Sequence, residues 1–216
     1  MLKKLMEDLY AKQLKCGLCE HGFTSHLVRR SAQQAADSDS DFRIQYKRET
    51  PYFYSVFLCP SCGYAFLESF KKPREKQREK IHEKIRPLPD FFGEKRDAAT
   101  AELAYKRAIE CARLQGEDYI VMASLYLHLA WIHRVRQNAK GEQEALEESL
   151  NYYVAVYEKS ELSDATKVMY LIGELNRRLG REKDAVFWFS RVVNEDHTNI
   201  AMRRMARQAW QQLREG

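Results

Sequence analysis

Cys59-Pro60-Ser61-Cys62-Gly63, taken together with Cys16-Gly17-Leu18-Cys19, orders the rest of this 216-residue chain around it. A C-x-x-C turn aims two thiolates at one point, and amides within the turn can donate to the sulfurs and offset their charge. Two such turns close a tetrahedral set of four sulfurs, a donor set that suits Zn²⁺. Cys16, Cys19, Cys59 and Cys62 are therefore the metal-ligand candidates, for one structural ion. Gly63 fits the tight return of the second turn. A redox dithiol would need a βαβ context beside its C-x-x-C, and none follows. An iron–sulfur centre is the other thiolate-bound alternative. His21 and His26 lie near the first pair. Four cysteines already fill a tetrahedron, so both histidines read as surface or packing residues.

Outward from the second pair, the sequence turns β-prone. Phe42, Ile44 and Tyr46 alternate with Arg43, Gln45 and Lys47, the period of a strand. Residues 52–58 form a second, nearly all apolar run. Residues 47–51 are expected to turn between these two, as a hairpin that delivers Cys59 to the site. Residues 24–29 read as a weaker strand and 63–68 as a fourth. The cysteine pairs are 39 residues apart, against about 15–20 in compact zinc motifs. The excess is largely residues 31–41, a polar stretch that reads as a loop. Asp37, Asp39 and Asp41 alternate there like a calcium loop. Phe42 stands at the required turn glycine and Arg48 at the bidentate glutamate, so the three aspartates read as a solvated loop.

The net charge of +5 is confined to one segment. Residues 71–86 hold 8 basic and 3 acidic side chains, and the remainder of the chain balances. The global basic field of a dedicated nucleic-acid binder is absent. After Pro73, which suits a first helical turn, Ile81 and Ile85 share a stripe. Glu75, Glu79 and Glu83 form one ridge and Lys76, Lys80 and Lys84 the next, with Lys76–Glu79 and Lys80–Glu83 as i,i+3 neighbours. The segment reads as a solvated connecting helix; the alternative is a phosphate-contacting surface. Pro87 and Pro89 end it.

Hydrophobic residues make up 44% of the chain, enough for a core. No stretch approaches the ~20 apolar residues of a membrane span. At the N-terminus Leu2, Leu5, Met6 and Leu9 share one helical face without forming a continuous apolar run. A soluble, cytoplasmic protein with no membrane partner is expected.

From Asp97 onward the periodicity is helical. Ala101, Ala104, Tyr105, Ala108, Ile109 and Ala112 form an apolar stripe; Cys111 borders it and reads as a small buried residue rather than a ligand. Gly116 closes this helix. Residues 119–137 and 143–159 are the next two. Gly173-x2-Asn176-x2-Leu179-Gly180-x4-Ala185-x3-Phe189-x2-Val192 matches the tetratricopeptide pattern of a helix pair. Small Gly173 and Ala185 let two helices approach closely, Phe189 fills the space between neighbouring pairs, and Gly180 permits the turn. Tyr170 and Asn176 stand where groove residues would lie. Residues 119–159 are a degenerate copy, with Ala130 aligned to Gly173 and Ala145 to Ala185. In 199–214, Met202, Met205, Ala206, Ala209, Trp210 and Leu213 share one face, as in a capping helix; Arg203, Arg204 and Arg207 on the other side read as a solvated cap, with a phosphate site as the alternative. Phosphate-loop, dinucleotide, zincin and serine-hydrolase motifs are absent, so no catalytic residue is assigned. His82, His128, His133 and His197 have no motif around them.

These residues resemble a bacterial family known as domain of unknown function 2225. The resemblance is carried by the first C-x-x-C with Phe23, by Asp39-Ser40-Asp41-Phe42, and by Pro51-Tyr52-x-Tyr54. It continues through Cys59-Pro60-x-Cys62-Gly63-Tyr64-Ala65 into Ala130-Trp131. Gly17 stands where the family usually has proline, and Thr50 where asparagine would precede Pro51; neither removes a ligand. The resemblance implies a zinc-ribbon-like front and a tetratricopeptide-like back, and it supplies no activity.

The chain is thus read as α+β. A zinc-ribbon-like β domain spans 1–70, a basic linker helix 71–90, and an all-α tetratricopeptide-like domain 91–216. The function expected is that of a cytosolic zinc-binding protein-interaction adaptor, with a protein or peptide partner in the helical groove. Two alternatives stand beside it: a nucleic-acid or ribosome-associated zinc-ribbon factor using residues 71–86, and a thiol or zinc redox sensor.

Overall fold

The computed structural model describes residues 8–88, 95–159, 165–195 and 199–215. The expected boundary at 90/91, Pro89, the face of Leu2, Leu5 and Met6, and His197 lie outside the described residues. Among the described residues, three short antiparallel strand pairs precede seven helices, an α+β architecture.

Strand β1 (Leu9–Lys15) pairs with β2 (Gly22–Val28), from Leu9 opposite Val28 to Lys15 opposite Gly22. Leu9, Phe23 and Val28 are buried beneath this hairpin. Strand β3 (Ala35–Ser38) pairs with β4 (Ile44–Tyr46) through an irregularity between Ala35 and Asp37. Strand β5 (Phe57–Leu58) pairs with β6 (Ala65–Phe66).

The hairpin expected between 42–47 and 52–58 does not form. β4 pairs instead with β3, inside the stretch read as a loop. The run after Pro51 starts as a 3-10 turn, Pro51–Phe53. Tyr52, Phe53, Tyr54 and Val56 are all buried, and Pro51, with no amide to give to a ladder, opens the turn. Carbonyls of the run are taken by side chains. Tyr105 donates to Tyr52 O at 3.0 Å, and Arg96 to Val56 O at 2.6 Å.

Helix α1 (Glu75–Lys84) follows the strands. Next come α2 (Ala98–Gln115), α3 (Tyr119–Val135), α4 (Ala139–Lys159), α5 (Thr166–Arg178), α6 (Glu182–Asn194) and α7 (Ile200–Glu215). The Asp97 carboxylate accepts from Thr100 N at 2.8 Å and caps α2, which ends at Gly116 in the left-handed region. α4 begins four residues before the expected 143, where the Asn138 side chain accepts from Gly141 N at 3.0 Å.

α3 and α4 run antiparallel. Arg134 meets Glu142 near the turn, Ser149 donates to Ala123 O at 2.9 Å, and Tyr126 stacks on Tyr152. α5 packs against α6 through Gly173. A Cβ on Gly173 would come within 2.9 Å of the Phe189 ring, so glycine there sets the separation of the pair. Ala185, Phe189 and Val192 are fully buried along the facing side. α7 buries Ala206 and Ala209, with Met202, Met205, Trp210 and Leu213 half-buried around them.

One apolar core runs from Leu9 in β1 to Leu175 in α5, and a second cluster joins α5, α6 and α7. Strands and helices meet directly in the first. Tyr52 packs against Trp131 with ring centroids 5.6 Å apart, and Ala65 N donates to the Cys111 sulfur at 3.4 Å. Among the described residues no helix is long and apolar enough to cross a membrane.

Candidate metal centre

Each C-x-x-C occupies the turn of a hairpin, the first joining β1 to β2 and the second joining β5 to β6. The two turns repeat one hydrogen-bond pattern. Cys16 N donates to His21 O and Cys59 N to Tyr64 O, both at 2.9 Å. Glu20 N returns to Cys16 O at 3.0 Å and Gly63 N to Cys59 O at 2.9 Å. The fifth residue of each turn takes a positive φ, 64° at Glu20 and 77° at Gly63. Amides inside each turn point at the first sulfur: Leu18 N and Cys19 N at Cys16, Ser61 N and Cys62 N at Cys59.

The two hairpins bring these turns face to face. Cys16 Sγ lies 3.7 Å from Cys62 Sγ, Cys19 Sγ lies 3.6 Å from Cys59 Sγ, and all four sulfurs fall within 4.8 Å of one another. A tetrahedral ion with metal–sulfur bonds of about 2.3 Å has edges of about 3.8 Å. Cys16, Cys19, Cys59 and Cys62 are thus brought together as expected and could hold a metal ion. Cys16, Cys59 and Cys62 do not titrate alike. Hydrogen bonding with Cys62 draws Cys16 down to about 5, against desolvation. Desolvation pushes Cys59 up to about 11, and the bond to Cys16 together with burial pushes Cys62 up. Crowded sulfurs ionise together only beside a divalent counter-charge.

His21 is exposed and His26 half-buried, and neither joins the sulfurs. Cys111 is fully buried on α2 and also stands apart; burial pushes its thiol up to about 12. Among the described residues no other group of His, Cys, Asp or Glu side chains converges in this way.

Helix α1 is seated across both turns. Its leading Pro73 lies 3.8 Å from where a Cβ on Gly17 would stand, and Arg78 donates to Gly17 O at 3.4 Å. Past its other end, the Arg86 carbonyl oxygen lies 2.0 Å from a Cβ built on Gly63. Gly63 therefore answers two demands, a left-handed φ and direct backbone contact. Gly63→Ala is expected to lower stability by about 2–3 kcal/mol, combining left-handed strain and overpacking. A chemical-denaturation midpoint unchanged from wild type would contradict this.

The family model described as an uncharacterized protein conserved in bacteria (DUF2225) matches residues 9–213. The chain belongs to this family. No curated protein and no solved structure matches it.

In this family member the Asp39-Ser40-Asp41-Phe42 turn between β3 and β4 is not a solvated loop. It reaches the helices and is held there as a clasp. Arg134, at the end of α3, binds Asp39 at 2.6 Å, Asp41 at 2.8 Å and Glu142 at 2.6 Å. Arg178 on α5 binds Asp41 at 3.3 Å and Glu174 at 2.8 Å. Ser40 Oγ donates to Glu174 at 2.6 Å, and Tyr170 OH donates to Ser40 O at 3.0 Å. Phe42, at φ 67°, lays its ring 5.4 Å from that of Tyr170. Asp41 and Glu174 have no exposed side-chain surface. Asp37 alone of the three aspartates stays exposed, as expected of a loop residue.

The clasp closes the part of the helical array where a groove was expected. Tyr170 is 1% exposed, covered by Ser40 and Phe42. Asn176 is buried and bonds back to Ile172 O of its own helix at 2.9 Å. Arg134, Glu174 and Arg178 were not singled out by sequence reasoning. Their one signal is charge, at a helix end for Arg134 and Arg178 and within a buried stretch for Glu174, and that signal does not name a partner more than ninety residues away.

Proposed function

We propose that the four cysteines hold one structural Zn²⁺ and that the chain acts as a protein-interaction adaptor. The donor set supports zinc: four sulfurs within 4.8 Å of one another, two pairs of them at 3.6 and 3.7 Å, with amides aimed at two of the sulfurs. The ion supplies the cross-link between two hairpins. The protein sets the turns, excludes water from Cys16 and Cys59, and seats α1 on the outside.

The observation that carries the adaptor reading is a groove between α2, α3 and α4, in a part of the helical array that the clasp does not cover. It encloses about 700 Å³. Tyr126, Leu129 and Ala145 form its floor, and Lys106, Lys140 and Glu144 stand on its rim. Arg113 stacks over Tyr126 at 5.6 Å and keeps 55% of its side chain exposed. An arginine–tyrosine pair above an apolar floor is the composition of a binding hot spot. A peptide or helix would lie along the groove as in other helical arrays.

The test compares wild type with Arg113→Ala. Both proteins should show the same melting temperature and metal content. Cross-linking in nuclease-treated lysate, with binding of the captured partner remeasured using purified components, should show at least about tenfold weaker binding by the variant. Equal binding by both proteins would remove the groove from consideration.

A further inference from the structure

The groove leaves the most highly charged surface of the molecule unused. Residues 71–86 carry the whole net charge of +5. In the structure Lys72, Arg74, Lys76, Lys80, Lys84 and Arg86 are all exposed. Among the described residues none of these six has a carboxylate within ion-pair distance, and the Lys76–Glu79 and Lys80–Glu83 pairs expected along the helix do not form.

The helix that presents them is fixed, not loosely tethered. Ile81 and Ile85 are buried at 0% and 3% exposure, Gln77 donates to Gln115 O, and both ends rest on the cysteine turns. With the inner stripe so defined, helical geometry sorts the outward residues into two ridges about 100° apart. Glu75, Glu79 and Glu83 occupy one. Lys76, Lys80 and Lys84 occupy the other, one turn apart at about 6 Å. The lysine ridge runs toward α2, where Lys84 shares a hollow with Lys106, Arg113 and Glu110.

We propose that the lysine ridge of α1 is a contact surface for the phosphate backbone of a nucleic acid, without reading of bases. Three features select this occupant. The cations lack carboxylate partners and stand on long exposed stems, which is what counterion-releasing phosphate contacts require. The outer face of 71–86 carries no apolar residue, whereas a protein interface needs a desolvated centre and is depleted in lysine. A membrane-surface helix also needs an apolar face to insert, and α1 has spent its isoleucines on the core. The glutamate ridge confines the strand to one flank. The ridge borders the adaptor groove at Lys84, which shares a hollow with Lys106 and Arg113, while Lys76 and Lys80 line neither hollow and test the ridge apart from the groove.

The full-length zinc-loaded protein is titrated against a fluorescent 20-nucleotide single-stranded RNA and a DNA duplex, each over a range of salt. Lys76→Gln/Lys80→Gln/Lys84→Gln should bind at least about tenfold more weakly at low salt. Its plot of log affinity against log salt should be shallower by about 2 for the single strand. Glu75→Gln/Glu79→Gln/Glu83→Gln should bind more tightly than wild type. Melting temperature and metal content should be unchanged in both variants. No binding of either nucleic acid by wild type at low salt would overturn the proposal. So would an unchanged salt slope in the lysine variant, or binding confined to vesicles containing phosphatidylserine.

Discussion

Cys62→Ser, or chelation of the wild-type protein, is expected to abolish the folded state of the strand region. Structural zinc contributes on the order of 10–16 kcal/mol in small zinc domains at neutral pH. The whole stability of a domain is about 5–15 kcal/mol, so the strand pairs have no reserve to absorb the loss. β5 and β6 are two residues each, and their pairing is closed by the second cysteine turn. The damage should travel along defined contacts. α1 loses its seats at Gly17 and Gly63, and α2 loses the hydrogen bonds that Tyr64 and Ala65 make to Gln115 and Cys111. α6 and α7 pack around a separate cluster centred on Phe189 and should keep their structure. Elemental analysis should give one zinc per wild-type chain and less in the variant. Hydrogen exchange should speed up through residues 9–28, 57–66 and 75–84. Full metal occupancy with unchanged exchange in Cys62→Ser would refute this account of the site. Mild oxidant should leave the ion in place; its release with disulfide formation would instead mark a thiol sensor.

Arg134→Ala is the second large effect. The guanidinium binds Asp39, Asp41 and Glu142 together at 16% exposure, and the Asp41 side chain is wholly buried. Removing it leaves Asp41 to Arg178 and Asp39 to Arg43, so the loss is that of several charge-assisted hydrogen bonds, about 2–3 kcal/mol. Arg134→Lys should not rescue, because a single ammonium cannot reproduce the forked geometry. Lys140→Ala, at an exposed pair on the same helical hairpin, should change stability by less than about 1 kcal/mol. Urea midpoints of the three variants provide the comparison, and a small loss for Arg134→Ala would show that the clasp is not a structural tie.

Acid should open the same clasp. Burial by itself would raise Asp39, but hydrogen bonds from Arg43, Gln45 and Arg134 outweigh it and hold the carboxyl far below its ordinary 3.8. A depressed carboxyl binds its proton more readily in the unfolded chain. Its contribution to stability is therefore complete above about pH 4 and is lost as pH falls below that value. In Arg134→Ala the acid loss should be shallower, since part of what holds Asp39 down is gone.

The convergence of the four cysteines was legible because a C-x-x-C turn is a local device. Its hydrogen bonds run within six residues, and thiolate chemistry needs no knowledge of the fold to pair one turn with another. The close α5–α6 approach was legible for a similar reason, since Gly173, Ala185 and Phe189 lie within one helical hairpin. Strand pairing was less legible. Residues 52–58 have the composition of a strand, but whether consecutive apolar residues alternate between core and solvent depends on what lies on each side. Here Trp131, Tyr105 and Arg96 surround them. The clasp was not legible at all. Alternating aspartates have the same appearance in water and against arginines, and charge in a sequence carries no address.

What the chain determined by itself is thus its short-range chemistry: four sulfurs in two matching turns, a run of helices, and a helix with one apolar stripe and two charged ridges. Only the tertiary structure decided that β3–β4 folds over the helices and covers Tyr170. It also decided that the open groove lies instead between α2, α3 and α4, and that the basic helix is seated on the cysteine turns. Those outcomes rest on burial and ion pairing between residues far apart in sequence, where the free energy comes from water being excluded on both sides of a contact. No pattern within one segment specifies its opposite side.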